Sequence, residues 1–294
     1  MIGEISGLGA ALCWAVSSTF SKSLAGRILP MNLNLLRCLA GSAFFFIAIP
    51  FSGGLEALTR VPAGAVVYLV ASALVGMVVG DTIYFIGLRR VNVTIALPLS
   101  QSAMPLITLG FAVLFLGEAV TRSLLLGTAL VLIGNYLVIS PPRNAAIVGK
   151  EEGAGKGAGL FMIVAAAGLW AVSIALLKVG LSGASPVVAN TLRLPAATVA
   201  ILFFVLLPRG SRPAVSTTPR DFLLGLATGV ISFGIGGILF LLSIQHAGAG
   251  KAAVLTSCAP LFGLPFSVLY LKERADRKCV IGTALLVLGV VFLV

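Results

Sequence analysis

Of the 294 residues, 59% are hydrophobic and only 10% are charged, and the mean hydropathy is +1.13. A soluble domain carries about 25% charged residues to hold its surface in water, so this composition excludes one and calls for lipid as the solvent. The formal net charge of +11 then reads as loop charge facing an anionic leaflet, and poorly as nucleic-acid binding.

A helix needs about 20 apolar residues to cross the hydrocarbon layer. Ten such runs are predicted: 4–24, 31–51, 65–88, 93–116, 123–140, 158–177, 186–207, 222–244, 250–271 and 279–294. An eight-helix parse that merges short neighbours is the alternative. Continuous apolar runs exclude a β-barrel, which alternates residue by residue. The first span carries Trp14, Ser17 and Lys22, and the second carries Asn34 and Arg37. The third holds Asp81 and Tyr84, and the fourth holds Pro98, Gln101 and Pro105 before the sequence VLFLGE at 113–118. The fifth contains GTAL at 127–130. A Gly- and Ala-rich stretch, PPRNAAIVGKEEGAGKGAG, follows at the midpoint. Its glycines and lysines lack the spacing and the trailing Ser or Thr of a phosphate loop, so it reads as a linker.

The second half then repeats the first. Trp170, Ser173 and Lys178 stand 156 residues after Trp14, Ser17 and Lys22, and Asn190 and Arg193 stand 156 after Asn34 and Arg37. Gly236 matches Gly80, while Asp81 and Tyr84 meet Gly237 and Phe240. From about residue 96 the offset becomes 155: Pro260 matches Pro105, VLYLKE at 268–273 matches VLFLGE, and GTAL recurs at 282–285. The chain reads as a tandem duplication of 1–140 and 158–294 joined by a linker over 141–157. Five helices per copy is an odd number, so the second copy enters the membrane upside down. Such inverted repeats let a midplane site open first to one side and then to the other. The first span lacks a basic leader and has a duplicate mid-chain, so it is expected to be a permanent helix.

These residues carry a resemblance. Two five-helix copies, each with W-x-x-S-x-x-x-x-K in its first helix and P…LFLGE or P…LYLKE before a Gly-Thr-Ala helix, resemble the drug/metabolite transporter superfamily, EamA type. The resemblance spans nearly the whole chain. It implies an all-α, ten-helix integral membrane bundle that moves small metabolites or drugs, with no substrate specified.

Of the 20 Lys and Arg residues, 14 fall on loops 1–2, 3–4, 5–6, 7–8 and 9–10, four fall on the opposite side, and Arg37 and Arg193 lie inside spans. The positive-inside rule then places both termini outside the cytoplasm of a cell membrane, whereas the family more often has them inside.

Polar residues within the spans are the candidate site. Asp81 lies roughly 10 Å inside its helix end at 1.5 Å per residue, and an acid there should face the bundle or a wet cavity. It either meets a substrate amine or a proton, with Tyr84 one turn away, or serves as counter-ion to Arg37 or Arg193. Asn34, Arg37, Asn190 and Arg193 read first as a structural or coupling network, because duplicated residues suit the shared scaffold. Trp14 with Ser17, and Trp170 with Ser173, place an aromatic ring and a hydroxyl on one helix face, either lining a cavity or packing. Gln101 joins the substrate-binding candidates, and Pro98, Pro105 and Pro260 are expected to break their helices. Gly76/Gly80, Ser232/Gly236 and Gly225/Gly229 form small faces for close helix contact. The four cysteines show no metal spacing and His246 stands alone, so no metal, cofactor or enzymatic chemistry is expected. The expected function is a gradient-driven or equilibrative carrier of a small metabolite, an amino acid or related amine, working in export with proton coupling through Asp81. A flippase for a lipid-linked phosphate or sugar, or an intramembrane scaffold, is the alternative.

Overall fold

The computed structural model describes residues 1–24, 27–88, 90–91, 93–139, 156–206, 218–263 and 277–294. Among them every regular element is helical. The principal helices are α1 (Ile2–Ser23), α2 (Pro30–Ala48), α3 (Ala63–Leu88), α4 (Val93–Leu116), α5 (Arg122–Ile139), α6 (Lys156–Gly180), α7 (Pro186–Leu206), α8 (Pro219–Ala247), α9 (Ala249–Thr256) and α10 (Arg277–Leu293). Among the described residues seven helices are long and apolar enough to cross a membrane. The linker expected over 141–157 lies outside the described residues up to 155, and VLYLKE lies wholly outside them.

Large side chains such as Phe46, Phe51, Phe115, Phe161 and Phe203 are more than half exposed, while Ala, Gly, Ser and Thr fill the helix interfaces. That is the inverse of a water-soluble protein. Lipid tails are as apolar as Leu, so helices associate where small residues let backbones approach. The seam between α5 and α10 shows this best. A Cβ at Gly127 would stand 2.9 Å from the Gly289 carbonyl oxygen, and one at Gly289 would stand 2.9 Å from that of Gly127. Gly134 and Gly282 face one another in the same reciprocal way, at 2.7 and 2.8 Å.

Two further features recur at the sequence offset. In α3 the segment Leu74–Gly80 widens into π-helix, and in α8 so does Val230–Ile235. Ser42 of α2 and Thr198 of α7, themselves 156 apart, share a hydroxyl–hydroxyl bond of 3.2 Å.

The prolines behave differently from expectation. Helix α4 runs unbroken through Pro98 and Pro105, and the side chain of Pro98 lies outside the described ones. A proline deletes one ladder bond, and here the bonds on either side carry the helix across. In α9 the helix stops at Thr256, Ser257 and Cys258 form a turn, and helical geometry resumes at 259–263. The interruption therefore precedes Pro260 and does not fall on it.

Glu118, the acid of VLFLGE, accepts the backbone N–H groups of Ala249 and Gly250 at 2.6 and 3.0 Å. It caps the first turn of α9, where the helix dipole favours an anion. Glu4 on α1 receives Lys251 Nζ at 2.7 Å and the chain's amino group at 2.7 Å. Both chain ends thus meet at one end of the bundle.

Candidate functional site

The site grows from the two π segments. Widening a helix leaves carbonyls at the junction short of a partner, and hydroxyls from a neighbouring helix supply one. Ser173 donates to the Ser72 carbonyl at 2.6 Å, and Ser17 donates to that of Thr228 at 3.1 Å. Both acceptors lie two residues before a π segment. Ser173 and Ser17 are 6% and 1% exposed. Their hydroxyls tie neighbouring helices together through these bonds.

Each tryptophan reaches across to the same region. Trp170 Nε1 donates to Asp81 Oδ1 at 2.9 Å, and its ring packs on Tyr84 with centroids 5.1 Å apart. Trp14 Nε1 donates to the Ser232 carbonyl at 3.2 Å and packs on Phe240 at 5.2 Å. The glycines of the small faces make room for them. A Cβ at Gly80 would lie 2.9 Å from Trp170 Cδ1, and one at Gly236 would lie 3.2 Å from Trp14 Nε1.

Asp81 also accepts from Asn34 Nδ2 at 3.1 Å. Both of its donors are neutral. Among the described residues no arginine lies within ion-pair distance of it, and Arg37 acts on it only through charge at longer range. The arginines find other partners. Arg37 Nη2 donates to Ser232 Oγ at 3.0 Å, and its guanidinium stacks over Phe233, 4.6 Å from the ring centre. Arg193 Nε donates to Ser72 Oγ at 2.9 Å, and Nη1 donates to Asn190 Oδ1 at 2.9 Å. Neutral oxygens can satisfy guanidinium geometry, but the charge itself is not cancelled.

Eight of the predicted residues, Trp14, Asn34, Arg37, Asp81, Tyr84, Trp170, Asn190 and Arg193, therefore line up along the two π segments. Gln101 is half-buried on α4, outside these hydrogen bonds, and Pro260 stands apart in the helical stretch that follows the turn after α9. Ser72, Thr228 and Ser232 are the partners that sequence reading missed. Ser232 was singled out only as a small residue, and its hydroxyl accepts Arg37.

A cavity lies at the end where the termini meet. It encloses about 480 Å³ among Glu118, Thr121, Ser123, Lys178, His246 and Lys251, with Phe292 and Leu293 on its wall. Lys178 Nζ donates to the Ile244 carbonyl at 2.8 Å, satisfying a carbonyl at the end of α8. Among the described residues no group of His, Cys, Asp and Glu could hold a metal ion.

Residues 1–140 and 157–294 both match the model of the EamA-like transporter family. The chain belongs to this family. An uncharacterized transporter of Archaeoglobus fulgidus is 26% identical over 299 residues, covering 100% of this chain and 98% of that protein. A probable amino-acid metabolite efflux pump of Salmonella typhimurium is 30% identical over 126 residues, which cover 43% of this chain and 39% of that one. A solved crystal structure superposes with a TM-score of 0.81 at 19% identity, covering 99% of this chain and 95% of that one, which speaks to the fold. The chain is a multi-pass membrane transporter.

Proposed function

We propose that the protein is a secondary, alternating-access carrier built from two inverted five-helix units, 1–140 and 158–294, joined by the linker over 141–157 in a ten-helix bundle. The observation that carries this reading is reciprocity. Several contacts between the halves recur with the roles of the two halves exchanged. Ser17 with Thr228 mirrors Ser173 with Ser72, Trp14 with Phe240 mirrors Trp170 with Tyr84, and Gly127 with Gly289 mirrors Gly282 with Gly134. Mutual contacts of this kind are what a two-fold axis generates. The Ser42–Thr198 pair joins equivalent positions, as residues on such an axis must.

A pseudo-two-fold bundle has two equivalent ways to pack, differing in which half adopts which conformation, and exchanging them moves the opening from one face to the other. The substrate is a small metabolite, an amino acid or a related amine. Asp81, whose donors are neutral, is available to an ammonium group or a proton, and the relative named as a probable amino-acid metabolite efflux pump favours export. The chain holds no nucleotide-binding motif, so a gradient supplies the work, with proton coupling through Asp81. The flippase reading asks for arginines facing a lateral groove. Here Arg37 and Arg193 bond to Ser232 and Ser72 between helices, which favours the metabolite carrier.

Counterflow tests the reading. Proteoliposomes preloaded with each of a panel of unlabelled amino acids and amines should transiently accumulate the same labelled compound for at least one member of the panel. Lack of exchange for every member would contradict the carrier.

A further inference from the structure

Asp81 is satisfied by the Asn34 amide and the Trp170 indole. At the matching place in the second half stand Asn190, Trp14 and, instead of an acid, Gly237. Asn190 has the same amide and nothing to give it to. Its oxygen accepts Arg193 Nη1 at 2.9 Å, and a guanidinium can only donate. The amide orientation is therefore fixed, and its NH₂ group must point the other way. That nitrogen is buried without a hydrogen-bond partner in a residue only 2% exposed. It faces Gly237: a Cβ placed there would meet Asn190 Nδ2 at 3.0 Å and Cγ at 4.0 Å, and no other side chain of the described residues within 4 Å. On the neighbouring residue, Gly236, the nearest atoms include Trp14 Nε1 at 3.2 Å.

A buried donor with no acceptor is costly, and such groups call for a partner. The surrounding charge says which kind. Arg37 and Arg193 bring two positive charges to the site and Asp81 returns one negative charge, so a single further anion balances the interior. A guanidinium one amide away from Asn190 Nδ2 raises the affinity for an anion over a neutral oxygen.

We propose that the space beside Gly237 is a carboxylate subsite, in which a ligand's carboxylate accepts Asn190 Nδ2 in the field of Arg193, at the position that Asp81 fills in the other half. A side chain at 237 would crowd this donor, since its Cβ alone would stand 3.0 Å from Asn190 Nδ2. That the ligand is the carrier's own substrate rests on the function proposed above, and the subsite itself does not. Joined to Asp81, it gives the interior an acidic pole and an anion-binding pole, which suits a zwitterion better than a simple amine.

The test uses the full chain in detergent with acetate as the probe. Thermal unfolding is compared in sodium acetate, in sodium chloride of equal ionic strength, and in chloride with acetamide. Acetate at about ten times its dissociation constant should raise the melting temperature by about 2 °C above both controls. Gly237→Asp, which brings its own carboxylate to Asn190, should melt higher than wild type in chloride and lose the acetate increment. Gly237→Ala fills the space with a methyl group, so it should also lose the increment without melting higher, and it decides the matter if the Asp variant does not fold. No acetate increment in wild type, an equal increment from acetamide, or an increment retained in the variants would each overturn the subsite. Counterflow separates the two claims. Absent exchange with the increment intact removes the carrier and leaves the subsite, while exchange without the increment does the reverse.

Discussion

Replacing Asp81 with Asn measures how the interior carboxylate is held. Asp81 takes one bond on each oxygen, from Trp170 at 2.9 Å and Asn34 at 3.1 Å. Asn keeps the shape but converts one acceptor oxygen to an NH₂ donor. Whichever way the new amide turns, one of the two donors then faces another donor, in a region too crowded to rearrange: a Cβ on Gly80 would already come within 2.9 Å of Trp170. Losing one hydrogen bond to a charged group costs about 1.5–3 kcal/mol. Had Asp81 been the partner of a buried arginine, the loss would be about 3–5 kcal/mol, because a charge would be stranded. For a chain of 294 residues each kcal/mol moves the melting temperature by about 1.6 °C, so Asp81→Asn should melt about 2–5 °C lower in detergent and still express as folded protein. In proteoliposomes the same variant should lose accumulation driven by a pH gradient and keep exchange at equal pH. An unchanged melting temperature would refute the assigned hydrogen bonds. Failure to fold would point to a guanidinium partner, and retained gradient-driven accumulation would remove Asp81 from the coupling step.

Three other perturbations probe the scaffold. Gly134→Ala pushes a methyl group to within 2.7 Å of the Gly282 oxygen, forcing α5 and α10 apart at a cost of about 1–3 kcal/mol. Gly110→Ala on α4, where the added atom meets nothing within 4 Å, should be neutral or stabilising by up to about 1 kcal/mol, and equal melting temperatures for the two would refute the close seam. Glu118→Ala removes the cap of α9 and should cost about 0.5–2 kcal/mol, read as a lower melting temperature; no change would deny the capping role. Reporters fused to the C-terminus, one fluorescent only in the cytoplasm and one active only outside it, should report the outside, as the loop charges require. Cytoplasmic fluorescence would reverse the orientation and leave the fold standing.

The order and type of the helices were legible because lipid exposure writes itself into composition, and the 156-residue offset exposed which residues answer one another. Trp14, Asn34, Asp81, Trp170 and Asn190 could be picked out as polar groups at membrane depth. What could not be read was where their donors point. Ser17 and Ser173 look like ligands until the neighbouring helix is seen to present a carbonyl to each. The two π segments carry no proline; their only trace is the glycine pattern in LVGMVVGD and VISFGIGG, which also suits a straight helix in tight contact. Prolines misled in the opposite direction, since one missing bond does not end a helix whose other bonds hold. Glu118 shows the same limit: its place in VLFLGE was visible, but the N–H groups that it caps lie 131 and 132 residues away and meet it only in the folded bundle.

Alternating access is the central claim, and it is tested most directly by two single cysteines at equivalent positions. His246 lines the cavity at the end where the termini meet, and Arg90, its counterpart 156 residues earlier, is exposed beyond the end of α3. In a background with Cys13, Cys38, Cys258 and Cys279 replaced, His246→Cys and Arg90→Cys are labelled with a membrane-impermeant thiol reagent. Labelling is done from each face of the vesicle, with and without a substrate identified by counterflow. The account predicts that the two sites react from opposite faces, and that substrate raises the labelling rate at one while lowering it at the other. Reaction from the same face, or rates that rise and fall together, would contradict it.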